Sequence, residues 1–180
     1  LEPETTYEAL LKKVEKTAPF PALINAASPA FFNPDSMKEA IDDFCGKTRQ
    51  RPPDSSAAYA RVSLEALGLV FRQVISELRD MKSRPIRKIH IVGGGCRNEF
   101  LCQAAADACQ VPVYAGPVEG TAIGNILIQA RALGAVGSLS EARRIVERSF
   151  DVREYLPGDP GPWAAAQERL ETYREEWNGK

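Results

Sequence analysis

The sequence predicts an α/β fold in which two short parallel strands are joined through a helix and flanked by several added helices. Three observations lead there. A long stretch of helical periodicity fills the first half of the chain. At Lys88 the rhythm changes to the alternating run Lys-Ile-His-Ile-Val, which enters Gly93-Gly94-Gly95 directly. Strand, helix, strand and helix then follow in order, which implies parallel strands linked by a right-handed crossover.

The elements can be justified in turn. Residues from Thr5 to Thr17 read as a short charged helix with Tyr7, Leu10, Leu11 and Val14 on its packing face. The loop from Ala18 to Pro34 carries four prolines, yet Leu23, Ile24, Phe31 and Phe32 give it apolar surface with which to dock. Asp35 or Ser36 caps a helix through Lys47, and Arg51-Pro52-Pro53 ends that segment. From Asp54 to Met81 the apolar positions Val62, Ala66, Leu67, Val70, Phe71, Val74, Leu78 and Met81 recur at helical spacing. Pro85 forbids continuation. Lys88–Val92 and Val111–Ala115 read as strands, Asn98–Cys109 as the helix between them. Glu119 or Thr121 opens a helix to Leu133, where Gly134 suits the position after its end. Ser138 or Ser140 caps a helix to Ser149, and a last charged helix runs from the stretch ending at Pro162 to about Trp177. A two-stranded sheet is marginal alone, so partner strands are expected from outside this sequence, which itself points to a piece of a longer protein. The chain begins at Leu1, with Met37 its first methionine, and a piece of a longer protein is the expected reading.

Composition narrows the function. The 180 residues are 44% hydrophobic and 26% charged, ordinary globular usage, with a net charge of -1. A chain so balanced lacks the basic field that a nucleic-acid partner needs. No apolar run approaches the roughly 20 residues that span a bilayer, and Leu-Glu-Pro-Glu lacks the pattern of a signal peptide. A cytoplasmic protein with reduced thiols is expected. Its four cysteines do not build a scaffold, and the spacing of Cys96, Cys102 and Cys109 is not that of a zinc knuckle. On one helix Cys102 and Cys109 stand about 10.5 Å apart, too far for a disulfide. No metal site and no catalytic residue stands out. His90, within a strand, reads as structural.

The informative segment is the turn Gly93-Gly94-Gly95-Cys96-Arg97-Asn98. Three glycines strip every Cβ from a turn between a strand and a helix, so a ligand can approach the main chain. The helix that follows presents unpaired amides and the positive end of its dipole, which suits phosphate. Asn98 stands at the cap, where its amide can serve the helix or a ligand. The run is no P-loop, for no Lys-Ser or Lys-Thr follows, and no dinucleotide fingerprint, for its sixth place is Asn98. A second segment, Gly116 to Asn125, places small residues at the start of a helix. The stripe Gly120, Gly124, Ile128 serves equally as a close helix contact.

The run Ile89–Asn98, then Leu101, Gln103, Ala106-Asp107 and Val113, then Gly116-Pro117-Val118-Glu119, Gly124-Asn125 and Gln129, closely resembles the C-terminal domain of the FGGY family of carbohydrate kinases, in its members that phosphorylate L-rhamnulose. Leu23-Ile24-Asn25, Phe32-Asn33-Pro34 and the long helix after Pro52-Pro53 resemble it too, so the likeness covers roughly residues 20 to 150. The resemblance implies part of a ribonuclease H-like (actin-like ATPase) domain. It also implies an enzyme of two such domains that moves the γ-phosphoryl of ATP, with Mg²⁺, to a ketose such as L-rhamnulose. Carried over by position, Gly94 matches the family's nucleotide-binding glycine, with Gly93, Gly95 and Asn98 lining the same turn.

The resemblance places the catalytic Asp, the other phosphate loop and the sugar contacts in segments before Leu1. Residues 1–180 then form a C-terminal, ATP-binding fragment without the N-terminal sugar-binding domain, inactive alone. Two residues depart from the family. Gln110 stands where glycine is usual, a loop change of small consequence; Gly120 stands where alanine is usual and loosens a helix start. The residues leave open a kinase for fuculose, xylulose or glycerol, and a non-catalytic nucleotide-binding module.

Overall fold

The computed structural model describes residues 6–81 and 85–173. Helix α1 (Tyr7–Lys16) starts where Thr6 Oγ1 accepts the Ala9 amide, and α2 (Met37–Lys47) starts likewise on Ser36. Thr5, the expected first residue of α1, lies outside the described residues. The proline-rich loop between the two helices docks as expected, with Ala22, Leu23, Ile24 and Phe31 buried. Its backbone is satisfied by a side chain: Gln50 accepts the Leu23 amide and donates to the Leu23 carbonyl. Phe32, expected to help dock the loop, instead stands 91% exposed.

Helix α3 (Ser56–Met81) opens with Ser55 Oγ accepting the Ala58 amide. Its buried stripe is Val62, Ala66 and Leu69 rather than the full periodic set, for Leu67, Val74 and Met81 are exposed. The stripe shifts because Gly68 admits the ring of Trp163: a Cβ there would stand 2.7 Å from its Cη2 and Cζ3 atoms. Glu65, 2% exposed, ties the N-terminal part to α3. It pairs with Arg61 at 2.8 Å and accepts the Phe20 amide, while Arg61 donates to the Val14 carbonyl at the end of α1. Burial pushes the Glu65 carboxyl above the usual range, and Arg61 and the Phe20 amide pull against it.

After α3 come β1 (Ile89–Ile91), α4 (Glu99–Cys109) and β2 (Val113–Ala115), with β1 and β2 parallel in the register Ile89↔Val113 and Ile91↔Ala115. Helices α5 (Gly120–Ala132) and α6 (Leu139–Ser149) follow, then β3 (Arg153–Tyr155) and α7 (Gly161–Glu171). The expected parallel pair is present, but a partner strand expected from outside the sequence comes from within it: β3 joins antiparallel on the far side of β2, giving the order β1-β2-β3. Arg-Glu-Tyr carries no apolar alternation, so nothing local marks it as a strand; pairing with β2 makes it one. Trp163, Ala166 and Leu170 seat α7 in the core, and the last stretch of its expected span, to Trp177, lies outside the described residues.

One sheet face is covered by α4, whose Cys102, Ala105 and Ala106 meet Val113 and Ala115. Its opposite side, through Ala104 and Ala108, packs with Leu69, Trp163 and Leu170. At its C-terminal end Gln110 takes a left-handed conformation, φ 54° and ψ 44°, in which glycine is the ordinary choice. Its Nε2 donates to the Asp107 carbonyl and offsets part of that cost. On the other sheet face His90, Tyr114 and Glu154 stand in one row, with His90 stacked on Tyr114 at 5.5 Å between ring centres. Helix α5 buries none of its residues; Ile126 and Ile128 are exposed.

The Gly68 contact yields a test. Alanine gains about 1 kcal/mol over glycine in a helix interior, whereas overpacking a core costs about 1–3 kcal/mol. Because the obstacle is a buried indole ring, Gly68→Ala is expected to lower stability in urea unfolding, against its helix propensity.

Candidate functional site

The loops that leave the carboxyl ends of β1 and β2 lie side by side. Gly116 donates its amide to the Ile91 carbonyl at 2.8 Å, and Gly93 donates to the Pro117 carbonyl at 3.3 Å. The two segments singled out in the sequence therefore form one edge, where open α/β sheets collect ligands. Gly93 has φ 80° and ψ -166°, a backbone conformation that side chains disfavour. A 3-10 turn, Gly94–Arg97, follows, closed by the Cys96 amide on the Gly93 carbonyl and the Asn98 amide on that of Gly95.

Gly94 and Gly95 are not explained in the same way. A Cβ on Gly94 would meet nothing within 4 Å, and one on Gly95 would make only ordinary contact with Ile91 at 3.8 Å. Both residues are exposed. Their amides reach no carbonyl among the described residues, nor do those of Glu99 and Phe100 in the first turn of α4. The edge thus offers bare main chain and unpaired donors at the positive end of a helix.

Asn98 is 6% exposed, and its side-chain amide makes one bond through its oxygen and one through its nitrogen, both internal. Its Oδ1 accepts the Leu101 amide at 2.9 Å and its Nδ2 donates to the Tyr7 hydroxyl at 2.9 Å. Of the two uses open to it in the sequence, the side chain takes the helix cap. Tyr7, expected on the packing face of α1, is a partner of Asn98 that sequence reasoning does not supply. It stands 58% exposed instead of packing, and no local signal could place it beside a residue 91 positions away.

In the second segment Gly116 has φ 121°, and a Cβ there would strike the Asp151 carbonyl oxygen at 2.8 Å. A Cβ on Gly120 would press on Val92 at 3.0 Å, while Gly124 faces open space. The glycine stripe of α5 meets no helix among the described residues. Cys102 lies beneath the turn, its Sγ 3.9 Å from the Gly95 carbonyl oxygen, and burial pushes its thiol up to about 11. It is a packing residue and a poor nucleophile at neutral pH. His90 sits on the sheet face, away from the turn; burial, then the Lys88 and Arg143 charges, depress its pKa. Among the described residues no cluster of three or more His, Cys, Asp or Glu is arranged to hold a metal.

This geometry is that of an α/β protein in which a parallel strand pair feeds a bare glycine turn and a helix N-terminus, an arrangement that suits an anion. The chain belongs to the FGGY family of carbohydrate kinases: the profile described as the C-terminal domain of that family matches residues 2–133. It is 39% identical over 163 residues to a rhamnulokinase of Bacteroides thetaiotaomicron, covering 91% of this chain and 34% of that protein. A rhamnulokinase of Pectobacterium carotovorum is 42% identical, at 91% and 33% coverage, and that of Bacillus subtilis 37% identical, at 88% and 33%. The chain therefore spans about a third of the length of the curated relatives it matches. In fold it is similar to a xylulose kinase from Rhodospirillum rubrum, with TM-score 0.62 and 20% identity over 99% of this chain and 37% of that one. A gluconate kinase from Lactobacillus acidophilus gives TM-score 0.52 at 18% identity, covering 85% of this chain and 36% of that one. The α/β fold with a small sheet is thus that of FGGY sugar kinases.

The cap is testable apart from any activity. Asn98→Ala loses both bonds and is expected to lower unfolding free energy by about 1–2 kcal/mol. Asn98→Ser, which keeps the cap and drops the Tyr7 bond, is expected to lose clearly less.

Proposed function

We propose that this chain is the C-terminal, ATP-binding part of a kinase that transfers the γ-phosphoryl group of ATP to L-rhamnulose, giving L-rhamnulose 1-phosphate in the cytoplasm. The observation that carries the nucleotide reading is Gly94, whose lack of a side chain serves neither backbone conformation nor internal packing. Main chain at Gly93, Gly94 and Gly95 lies against the nucleotide. The free amides of the turn and of α4 donate to its phosphate oxygens, favoured by the helix dipole. Asn98 holds the turn to the helix. Four free cysteines agree with a reducing compartment, and no helix among the described residues is long and apolar enough to cross a membrane.

The sugar pocket and the carboxylate base belong, in this reading, to an N-terminal domain outside these 180 residues, so the chain alone is inactive. Mg²⁺ is implied by phosphoryl transfer, where it neutralises charge on the phosphates. The described residues offer it no ligand cluster. L-Rhamnulose is favoured over other ketoses because the relatives at 37–42% identity are named for it, whereas the xylulose and gluconate kinases stand at 20% and 18%.

Gly94→Val in the full-length parent is expected to raise the KM for ATP at least tenfold while leaving the KM for sugar unchanged. Because open space surrounds that Cβ, the melting temperature should hold apart from a modest propensity effect. An unchanged KM for ATP overturns the nucleotide reading. In a coupled assay across L-rhamnulose, L-fuculose, D-xylulose and glycerol, kcat/KM is expected to be highest for L-rhamnulose; a clear preference for another acceptor overturns the assignment of the sugar and leaves the kinase class standing.

A further inference from the structure

Tyr7 is the feature that the nucleotide reading does not absorb. The other apolar residues on its face of α1 pack: Val14 is fully buried, and Leu10 and Leu11 are half-buried. Tyr7 instead leaves 58% of its surface open. It is nevertheless held in place, because the buried Asn98 amide, fixed at its other end by the Leu101 amide, donates to the phenolic oxygen. A phenol has one proton to give besides its acceptor capacity. Here the acceptor is used by Asn98, and no acceptor for the proton is found among the described residues.

The chain of contacts therefore runs from α4 through its capping residue, which also ends the glycine turn, to the hydroxyl of an exposed aromatic side chain. An exposed ring held by a buried polar anchor is a stacking surface fixed in advance, and it costs little further entropy when a flat ligand arrives. A purine presents the matching face, and base–aromatic stacking is worth about 1–3 kcal/mol per base. We propose that Tyr7 is a nucleotide-contacting residue. Its ring lies against the purine of the ATP held at Gly93–Gly95, and its hydroxyl donates to the adenosine moiety. The proposal rests on the nucleotide reading of that turn.

The test compares Tyr7→Ala, Tyr7→Phe and Gly94→Val in the full-length parent enzyme. Tyr7→Ala is expected to raise the KM for ATP by roughly 5- to 150-fold, the range that stacking energies allow. Tyr7→Phe keeps the ring and should raise it only about threefold, the lower end of the worth of one hydrogen bond. In both, kcat and the KM for sugar stay within twofold of the parent. If Tyr7 merely props α1 against α4, its loss lowers the melting temperature and shifts both KM values together; that pattern overturns the proposal. An unchanged KM for ATP in both Tyr7 variants, with Gly94→Val impaired, overturns the Tyr7 contact and leaves the turn standing. If Gly94→Val is also without effect, both readings fall. Tyr7→Phe preserves the packing of the ring, so the comparison stands even where Tyr7→Ala folds poorly.

Discussion

Helix α4 is built almost without bulk, and the arrangement of the molecule follows from that. Ala104 and Ala108 on one side let α3 and α7 close in; Ala105, Ala106 and Cys102 on the other let the sheet close in. Larger side chains at these positions would push the layers apart, because interiors at crystal-like density have no slack to absorb them. Close packing on two sides leaves α4 little freedom to slide or tilt. The direction of its N-terminus is set by the core, and the glycine turn hangs from that N-terminus.

The two ends of α4 are treated unequally. At the C-terminal end Arg72 donates to the Ala108 carbonyl and Arg79 to that of Cys109, so the negative end of the dipole is met by two cations of the same chain. At the N-terminal end Asn98 satisfies the Leu101 amide and the others stay open. A helix carries roughly half a unit charge at each terminus. Here two cations meet one terminus, while at the other the carboxylate of Glu99, in the first turn, is exposed and paired with Arg153. The open amides of that end, with Arg97 in the turn beside them, favour an anion there.

Much of this was legible along the chain, and the failures share a cause. The parallel pair, the crossover helix, the glycine turn and the Asn98 cap are local patterns, each fixed by residues within a few positions of one another. The third strand is not local: Arg153, Glu154 and Tyr155 become a strand only through Val113, Tyr114 and Ala115. The same holds for the stripe of α3, displaced by a tryptophan some ninety residues downstream, and for Tyr7, whose helix reads as an amphipathic element with its tyrosine inward. Gln110 is instructive in the opposite direction. A left-handed residue after a helix is ordinarily glycine, and the conformation stands here without it while the glutamine side chain bonds back to the helix end.

The glycines separate by what each one is for. Gly93 and Gly116 are required by their backbone angles and Gly68 by the Trp163 ring, while Gly120 is only crowded by Val92, an exposed side chain that can give way. Gly94 has neither reason, and in that it is joined by Gly46 and Gly124. Open space alone therefore does not mark a site, since Gly46 sits on the solvent side of α2. Position decides between them. Gly94 lies at the carboxyl edge of parallel strands, where its own amide and that of Gly95 are free, next to the N-terminal end of α4. A residue there with a side chain would stand between those donors and whatever they receive. In the proposed nucleotide reading, the missing side chain at Gly94 leaves room for a group from outside the chain, and the unpaired amides around it suit an anion.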